Sequence, residues 1–549
     1  MAEKPGRPES MARSAAGSFM KKRPRRLGLC LVIIAAMTAS GVAFLPLFAE
    51  EPPTFEIRSF IVEGNTLLAE QTIQETLRPY KGPDKTAEDV EKARSALEKV
   101  YHDIGYPAVL VNIPEQTTKG GMIRLQVIES KIGNVRVTGN RWFTWESILR
   151  DLPSLAPGRV LYLPAVQKDL ASVNRGEDLK VTPILSPGKE MGTTDVELKV
   201  EDQLPLHGSL EINNRNTPYT SDLRLNATLH YDNLWQLGHS LSTQFQTSPQ
   251  DTGQVRLYAF SYMLPAPWAR DDRIAIYGLR SDTNTTVVGQ GLAITGKGEI
   301  VGTRYVMPLS PYGVYVHNLT IGVDFKDFDR STGFIQGEGL RTPVKYLPLL
   351  FSYTSSLPDP WGSTAFSSGV NMVFRGLITE ESNFAINRYN AQGNYVYLTA
   401  GVERNFKLPA GMGAFLKVDG QIADQPLVPN EQYIAGGMTN VRGYEEATAL
   451  GDNALHGTAE ISGPDLGPHL PGDRLRLTPY VFYDFARLAV ISPLPSQTDT
   501  FRLEGTGVGL KGTYAKNWYY EVDWACPLSP MSVTDRFRQS WYFKVGAQF

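Results

Sequence analysis

The chain has 549 residues, 42% of them hydrophobic and 20% charged, with a formal net charge of −3. That length exceeds one compact domain, and the moderate hydrophobicity excludes a bundle of transmembrane helices. The charge balance excludes a nucleic-acid binder, which needs a basic surface.

The amino end is set apart from the rest. Lys21, Lys22, Arg23, Arg25 and Arg26 precede an apolar run over 27–47 that contains Pro46. A basic segment followed by an apolar one is the pattern of a secretion signal, and Phe48-Ala49 is the expected cleavage point. Segment 1–49 holds 8 Lys/Arg and 2 Asp/Glu, so its removal leaves 46 basic and 55 acidic residues, a net charge of about −9. Cys30 leaves with the signal and only Cys526 remains, so no internal disulfide forms. An exported chain without disulfides depends on extensive hydrogen bonding and burial, as a barrel does.

Four segments follow from the patterning: 1–49 as signal and leader, 50–130 and 131–203 as two small α/β units, and 204–549 as an all-β region. In the first unit the spacing predicts a strand over 55–62, a turn at Glu63-Gly64-Asn65, helices over 69–77 and 87–104, and strands over 108–113 and 122–128. Val90, Ala93, Leu97, Val100 and Ile104 share one helical face, and Gly105 ends that helix. The same order then begins again. A strand over 131–137 leads to Thr138-Gly139-Asn140, helices over 144–152 and 163–173, and strands over 179–185 and 194–200. Two β-α-α-β-β passes with matching Gly-Asn turns read as an internal repeat.

From Leu206 onward the apolar period becomes two. Leu223, Leu225, Ala227, Leu229 and Tyr231 alternate with polar residues, as do Leu416, Val418, Gly420 and Ile422. Trp541, Phe543, Val545, Ala547 and Phe549 form one face of the last stretch. Half-apolar strands between Gly, Pro, Asn and Asp turns fit a soluble β protein or a transmembrane barrel; aromatic residues near strand ends favour the barrel. About eleven strands precede the stretch Ile434-Ala435-Gly436-Gly437-Met438-Thr439-Asn440-Val441-Arg442-Gly443-Tyr444, and five follow it, near 454–461, 474–487, 503–512, 518–526 and 540–549. Sixteen strands are enough for a water-filled lumen. Alternation places Asp484 on the thirteenth strand, on the face opposite Val481 and Tyr483, and so toward the lumen.

A secretion signal, two β-α-α-β-β units and a barrel of about sixteen strands resemble the two-partner secretion transporters of the Omp85 superfamily, the outer-membrane exporters of haemolysins and filamentous haemagglutinins. Val441-Arg442-Gly443-Tyr444 matches that family's loop motif, and Phe482-Tyr483-Asp484 matches its strand motif. Weaker markers are Pro187-Gly188 with Gly192 and Asp195, and Asp232-Asn233. The resemblance implies two POTRA domains followed by a 16-stranded transmembrane β-barrel with a reentrant loop, in which Arg442 pairs with Asp484. It implies an outer-membrane location with the POTRA domains in the periplasm. Its partners would be a secreted, unfolded client of the β-helical TpsA type and the outer-membrane lipid. Departures are Gly238-His239, where related chains often have Gly-Asp, and Ala486, where glycine is common. Only about five residues separate the expected cleavage point from Phe55, so no plug helix is expected and the loop becomes the main occlusion.

No chemistry of another kind stands out. Seven histidines are scattered without metal-ligand spacing, so neither metal nor cofactor is implied and no catalytic site is assigned. Gly505-Thr506-Gly507-Val508-Gly509 has the look of a nucleotide loop but lies in a strand pattern with no following helix, so no nucleotide is implied; glycines there let bulky groups approach the backbone. Protein export is the leading expectation. A barrel-assembly factor, a passive pore and a soluble adhesin remain as rivals.

Overall fold

In the computed structural model the described residues are 53–549, except 118, 119, 219, 284, 285, 290, 291, 333–339, 379, 380, 470–473, 496, 532 and 533. The expected signal, 1–49, lies outside them, as does most of the stretch in which a plug helix was not expected.

The first α/β unit forms a three-stranded sheet in the order Ser59–Glu63, Met122–Glu129, Val109–Asn112, with helices Glu70–Leu77 and Ala87–Asp103. The expected single strand over 55–62 is corrected: it breaks at Arg58, whose N–H bonds instead to the carbonyl of Gly121. Phe55–Ile57 pairs separately with Gly82–Lys85, a strand that sequence periodicity missed because Gly-Pro-Asp-Lys carries no apolar alternation.

The second unit repeats the plan. Lys131–Thr138 runs parallel to Thr193–Asp202, which pairs antiparallel with Leu179–Pro187, and helices Trp145–Arg150 and Leu163–Val173 cover the sheet. The two Gly-Asn turns are equivalent in detail. Gly64 (φ +84°) and Gly139 (φ +88°) each lie against a backbone carbonyl, of Val127 and Val200, where a Cβ would collide. Asn65 donates to Leu68 O (2.9 Å) and Asn140 to Phe143 O (2.8 Å), so each Asn closes the entry to its helix.

The remainder is a closed antiparallel barrel. Its strands are β1 (Leu206–Asn213), β2 (Arg224–Leu234), β3 (His239–Thr247), β4 (Arg256–Ala266), β5 (Ala269–Ser281), β6 (Lys297–Pro308) and β7 (Val316–Thr332). β8 is interrupted (Leu340–Tyr346, then Pro348–Asp359), and both halves pair with β7. β9 (Gly362–Val373), β10 (Val396–Lys407) and β11 (Gly413–Ala423) lead to the long loop; β12 (Asn453–Ser462), β13 (Leu475–Ala489), β14 (Thr500–Tyr514), β15 (Trp518–Pro527) and β16 (Ser540–Gln548) follow it. The circle closes where β16 pairs with β1 over Lys544–Gln548.

Alternation sorts the two faces as period two requires. On β13, Val481 (51% exposed) and Tyr483 face outward, while Tyr480, Phe482 and Asp484 are buried inside. The lumen is not simply water-filled. Phe384, on the short helix Glu381–Asn387, packs edge-on against Tyr346 (5.4 Å between rings) and beside Tyr395, within an apolar cluster that includes Leu427 and Val428 of the long loop. Inward aromatic side chains from the wall and two loops from the far end bury one another there, which strand counting could not anticipate.

Candidate functional site

Odd-numbered strands run away from the end at which the chain comes in, so the 424–452 loop leaves the far end. It then folds back inside. Tyr433–Ala435 and Ala449–Gly451 form a short ladder, Tyr433 opposite Gly451 and Ala435 opposite Ala449. Gly436 (φ +103°), Gly437 (φ +107°) and Gly443 (φ +104°) make the turns of its tip. A side chain at Gly443 would be strained in that backbone conformation and would press on Pro527 N at 2.9 Å.

The structure brings Arg442 and Asp484 together. The guanidinium grips the carboxylate in a fork, Nε to Oδ2 at 2.7 Å and Nη2 to Oδ1 at 2.9 Å, and the Arg442 N–H adds a third bond at 3.1 Å. Asp484 is fully buried and Arg442 is 6% exposed. The guanidinium also lies 3.4 Å from the centre of the Phe482 ring, and Nη1 reaches Glu460 on β12 at 3.5 Å. Planarity suits both the fork and the stacking, which an ammonium could not reproduce.

Each neighbour in the motif has its own attachment. Gly443 N–H donates to the Tyr542 hydroxyl (2.8 Å), which itself donates to Tyr444 O (2.7 Å), tying the loop to β16. Tyr444, buried, donates its hydroxyl to Ser529 O at 2.6 Å beside Glu504 O at 3.1 Å. Val441 is wholly buried in a cluster with Ala435, Ala486, Leu488 and Leu503.

The glycine run on β14 finds its reason here. Gly505, Gly507 and Gly509 pair in register with Asp484, Phe482 and Tyr480. A Cβ on Gly505 would strike the backbone oxygen of Arg442; on Gly507 and Gly509 it would strike the Phe482 and Tyr480 rings. Gly505 is where the loop tip rests on the wall, while Gly507 and Gly509 leave room for wall groups beside it, the Phe482 and Tyr480 rings among them.

Several partners escaped sequence reasoning. Glu431, 4% exposed, accepts from Lys326 Nζ (2.5 Å) and from the hydroxyls of Tyr346 (2.6 Å) and Tyr397 (2.9 Å), fastening the loop's descending limb to β7, β8 and β10. On the return limb, buried Asp452 accepts from Leu427 N (2.8 Å) and Ile491 N (2.7 Å). Arg215, in the loop after β1, donates to Glu446 (2.7 Å) and Thr439 (3.2 Å) of the tip. Inward alternation marks Lys326, Tyr346 and Tyr397, but no local signal pairs them with Glu431.

A POTRA module, a closed barrel of sixteen strands and a loop folded back into its lumen define an outer-membrane protein transporter of the Omp85 superfamily. Residues 55–130 match the ShlB-type POTRA domain, and 192–304 with 364–512 match the haemolysin secretion/activation protein family ShlB/FhaC/HecB. The chain belongs to the ShlB/FhaC/HecB family. It is 23% identical over 450 residues to the outer membrane transporter CdiB of Dickeya dadantii, covering 78% of this chain and 76% of that protein. It is 19% identical over 469 residues to the heme/hemopexin transporter protein HuxB of Haemophilus influenzae, covering 82% and 80%. The fold is similar to that of CdiB from Escherichia coli (TM-score 0.66, 18% identity, 91% of this chain and 92% of that one). BamA from Haemophilus ducreyi lacking POTRA domains 1–3 shares the fold at a TM-score of 0.54 and 14% identity, over 90% and 100%. The protein is thus a two-partner secretion transporter of the outer membrane, and a secreted exoprotein is its partner.

Proposed function

We propose that the client is an unfolded exoprotein of the β-helical type, caught in the periplasm by strand addition to the POTRA sheets and threaded past the seated loop. Main-chain hydrogen bonding gives affinity with little demand on client sequence. The edge strand Leu179–Pro187 offers a suitable rim, with Ile184 and Leu185 half exposed beside its unpaired edge. No nucleotide enters this scheme; client folding outside removes the translocated chain from equilibrium and prevents its return.

Within the barrel, Arg442 and Asp484 hold the loop in its working position and the loop is the gate. The observation that carries this role is the burial of the forked pair at the tip of a loop that crosses the lumen. Secretion of the partner exoprotein into the medium tests it. Arg442→Ala and Asp484→Ala variants that insert as heat-modifiable barrels should secrete poorly. Unchanged export by both would sink the proposed role.

A further inference from the structure

At the periplasmic mouth, four side chains from three stretches of chain converge. Asp178 lies just before the strand Leu179–Pro187 of the second POTRA unit and is 7% exposed. His207 on β1 and His230 on β2 are direct cross-strand partners. Asp232 follows His230 by two positions and so shares its face. His207 Nε2 is 2.9 Å from the Asp178 carboxylate, and His230 Nε2 is 2.8 Å from Asp232 Oδ2.

One ligand atom from each of Asp178, His207 and Asp232 lies within 4.8 Å of the others. A tetrahedral zinc with bonds near 2.1 Å holds its ligand atoms about 3.5 Å apart, so the 2.9 Å contact between His207 and Asp178 would open slightly to admit the ion while Asp232 stays within reach. Asp178, Asp232 and Glu177 place acidic charge around His207. Two carboxylates converging on imidazoles form a donor set for a divalent transition ion, because imidazole discriminates against the hard ions that carboxylates alone would take.

We propose that Asp178, His207 and Asp232 bind Zn2+, with His230 hydrogen-bonded to Asp232 as the fourth ligand or as its orienting partner. The ion clips the second POTRA unit to the first hairpin of the barrel. A neighbouring joint already holds these parts close: the Gln236 side chain, in the turn after β2, accepts from Thr144 N (3.0 Å) and donates to Trp142 O (3.0 Å). The clip would fix the angle at which a client passes from the POTRA units into the pore.

The test uses the mature full-length protein in detergent, with any affinity tag removed, stripped with chelator and dialysed against Zn2+. One ion per chain should be retained, and Co2+ in its place should give the visible ligand-field bands of a tetrahedral nitrogen–oxygen site. His207→Ala and Asp232→Asn should each weaken Zn2+ binding more than about 100-fold, and His230→Ala by about 10- to 100-fold, as the loss of a group that orients a metal ligand does. Heat-modifiable migration identifies the folded variants, and Asp232→Asn, beside an exposed turn, keeps the test intact if His207→Ala does not fold. Failure of the wild type to retain an ion would overturn the proposal, as would equal retention by the folded variants.

Discussion

Replacing Arg442 with Ala should release the reentrant loop while leaving the barrel wall intact. The wall is held by continuous ladders between β11, β12, β13 and β14 that do not involve Arg442. What is lost is the two-pronged grip on Asp484 at 2.7 and 2.9 Å, together with the stacking on Phe482. Asp484 would then stay buried with Glu460 and Asp523 close by and no cation in the fork. Stranding one member of a buried pair costs about 3–5 kcal/mol. At 1.4 kcal/mol per decade, the ratio of seated to released loop should fall roughly 100- to 4,000-fold.

Val441 reports that change because it is wholly buried when the loop is seated. A Val441→Cys probe, with Cys526→Ser removing the native thiol, should react slowly with a membrane-impermeant thiol reagent applied to intact cells. Adding Arg442→Ala should accelerate labelling toward the free-thiol rate. The double change Arg442→Ala/Asp484→Ala should label more slowly than either single one, since no charge is left unpaired. Labelling by the single variants at the parental rate would refute the reasoning, because the loop would then be held without the pair.

Tyr542→Phe deletes a hydroxyl that serves both Gly443 N–H and Tyr444 O. Leaving those groups unsatisfied should cost the seated loop about 1–3 kcal/mol, read as faster Val441→Cys labelling with unchanged barrel insertion. Glu431→Leu strands Lys326, whose side chain is 11% exposed, and should loosen the descending limb by about 3–5 kcal/mol, measured as new cleavage within 424–432 by external protease. Asp465, in the periplasmic turn after β12, is held down to about 2 by Arg476 foremost and then by the N–H groups of Leu477 and Gly467. A depressed value means stabilisation that is complete above the ordinary carboxylate range near 4 and lost as pH falls toward 2. Hydrogen exchange in the turn, corrected for intrinsic rate, should therefore rise over that interval in the wild type and stay flat in Asp465→Asn.

The period-two pattern made Asp484 legible because strand alternation assigns a face without knowledge of the partner. The same alternation on β13 sets Tyr480 and Phe482 inward, where they line the loop's seat. The repeat was legible through Gly64 and Gly139, whose positive φ and contact with a carbonyl demand glycine twice over. Legibility ended where identity depends on depth along a strand or on a chain that returns from far away. Gly505, Gly507 and Gly509 resembled a phosphate loop because sequence shows an absence of side chain without showing what fills the space. His207 and His230 carried no metal spacing along the chain; register across β1 and β2 makes them neighbours.

By itself the sequence determined the two β-α-α-β-β units, the sixteen alternating strands and the inward face of Asp484, because periodicity and turn chemistry are local. Only the tertiary structure decided that Glu431 meets Lys326, that Tyr542 serves two backbone groups of the loop, and that the lumen beside Phe384 is packed. Those contacts exist only once the barrel closes and the loop turns back through it, so residues distant in the chain come to share one buried space.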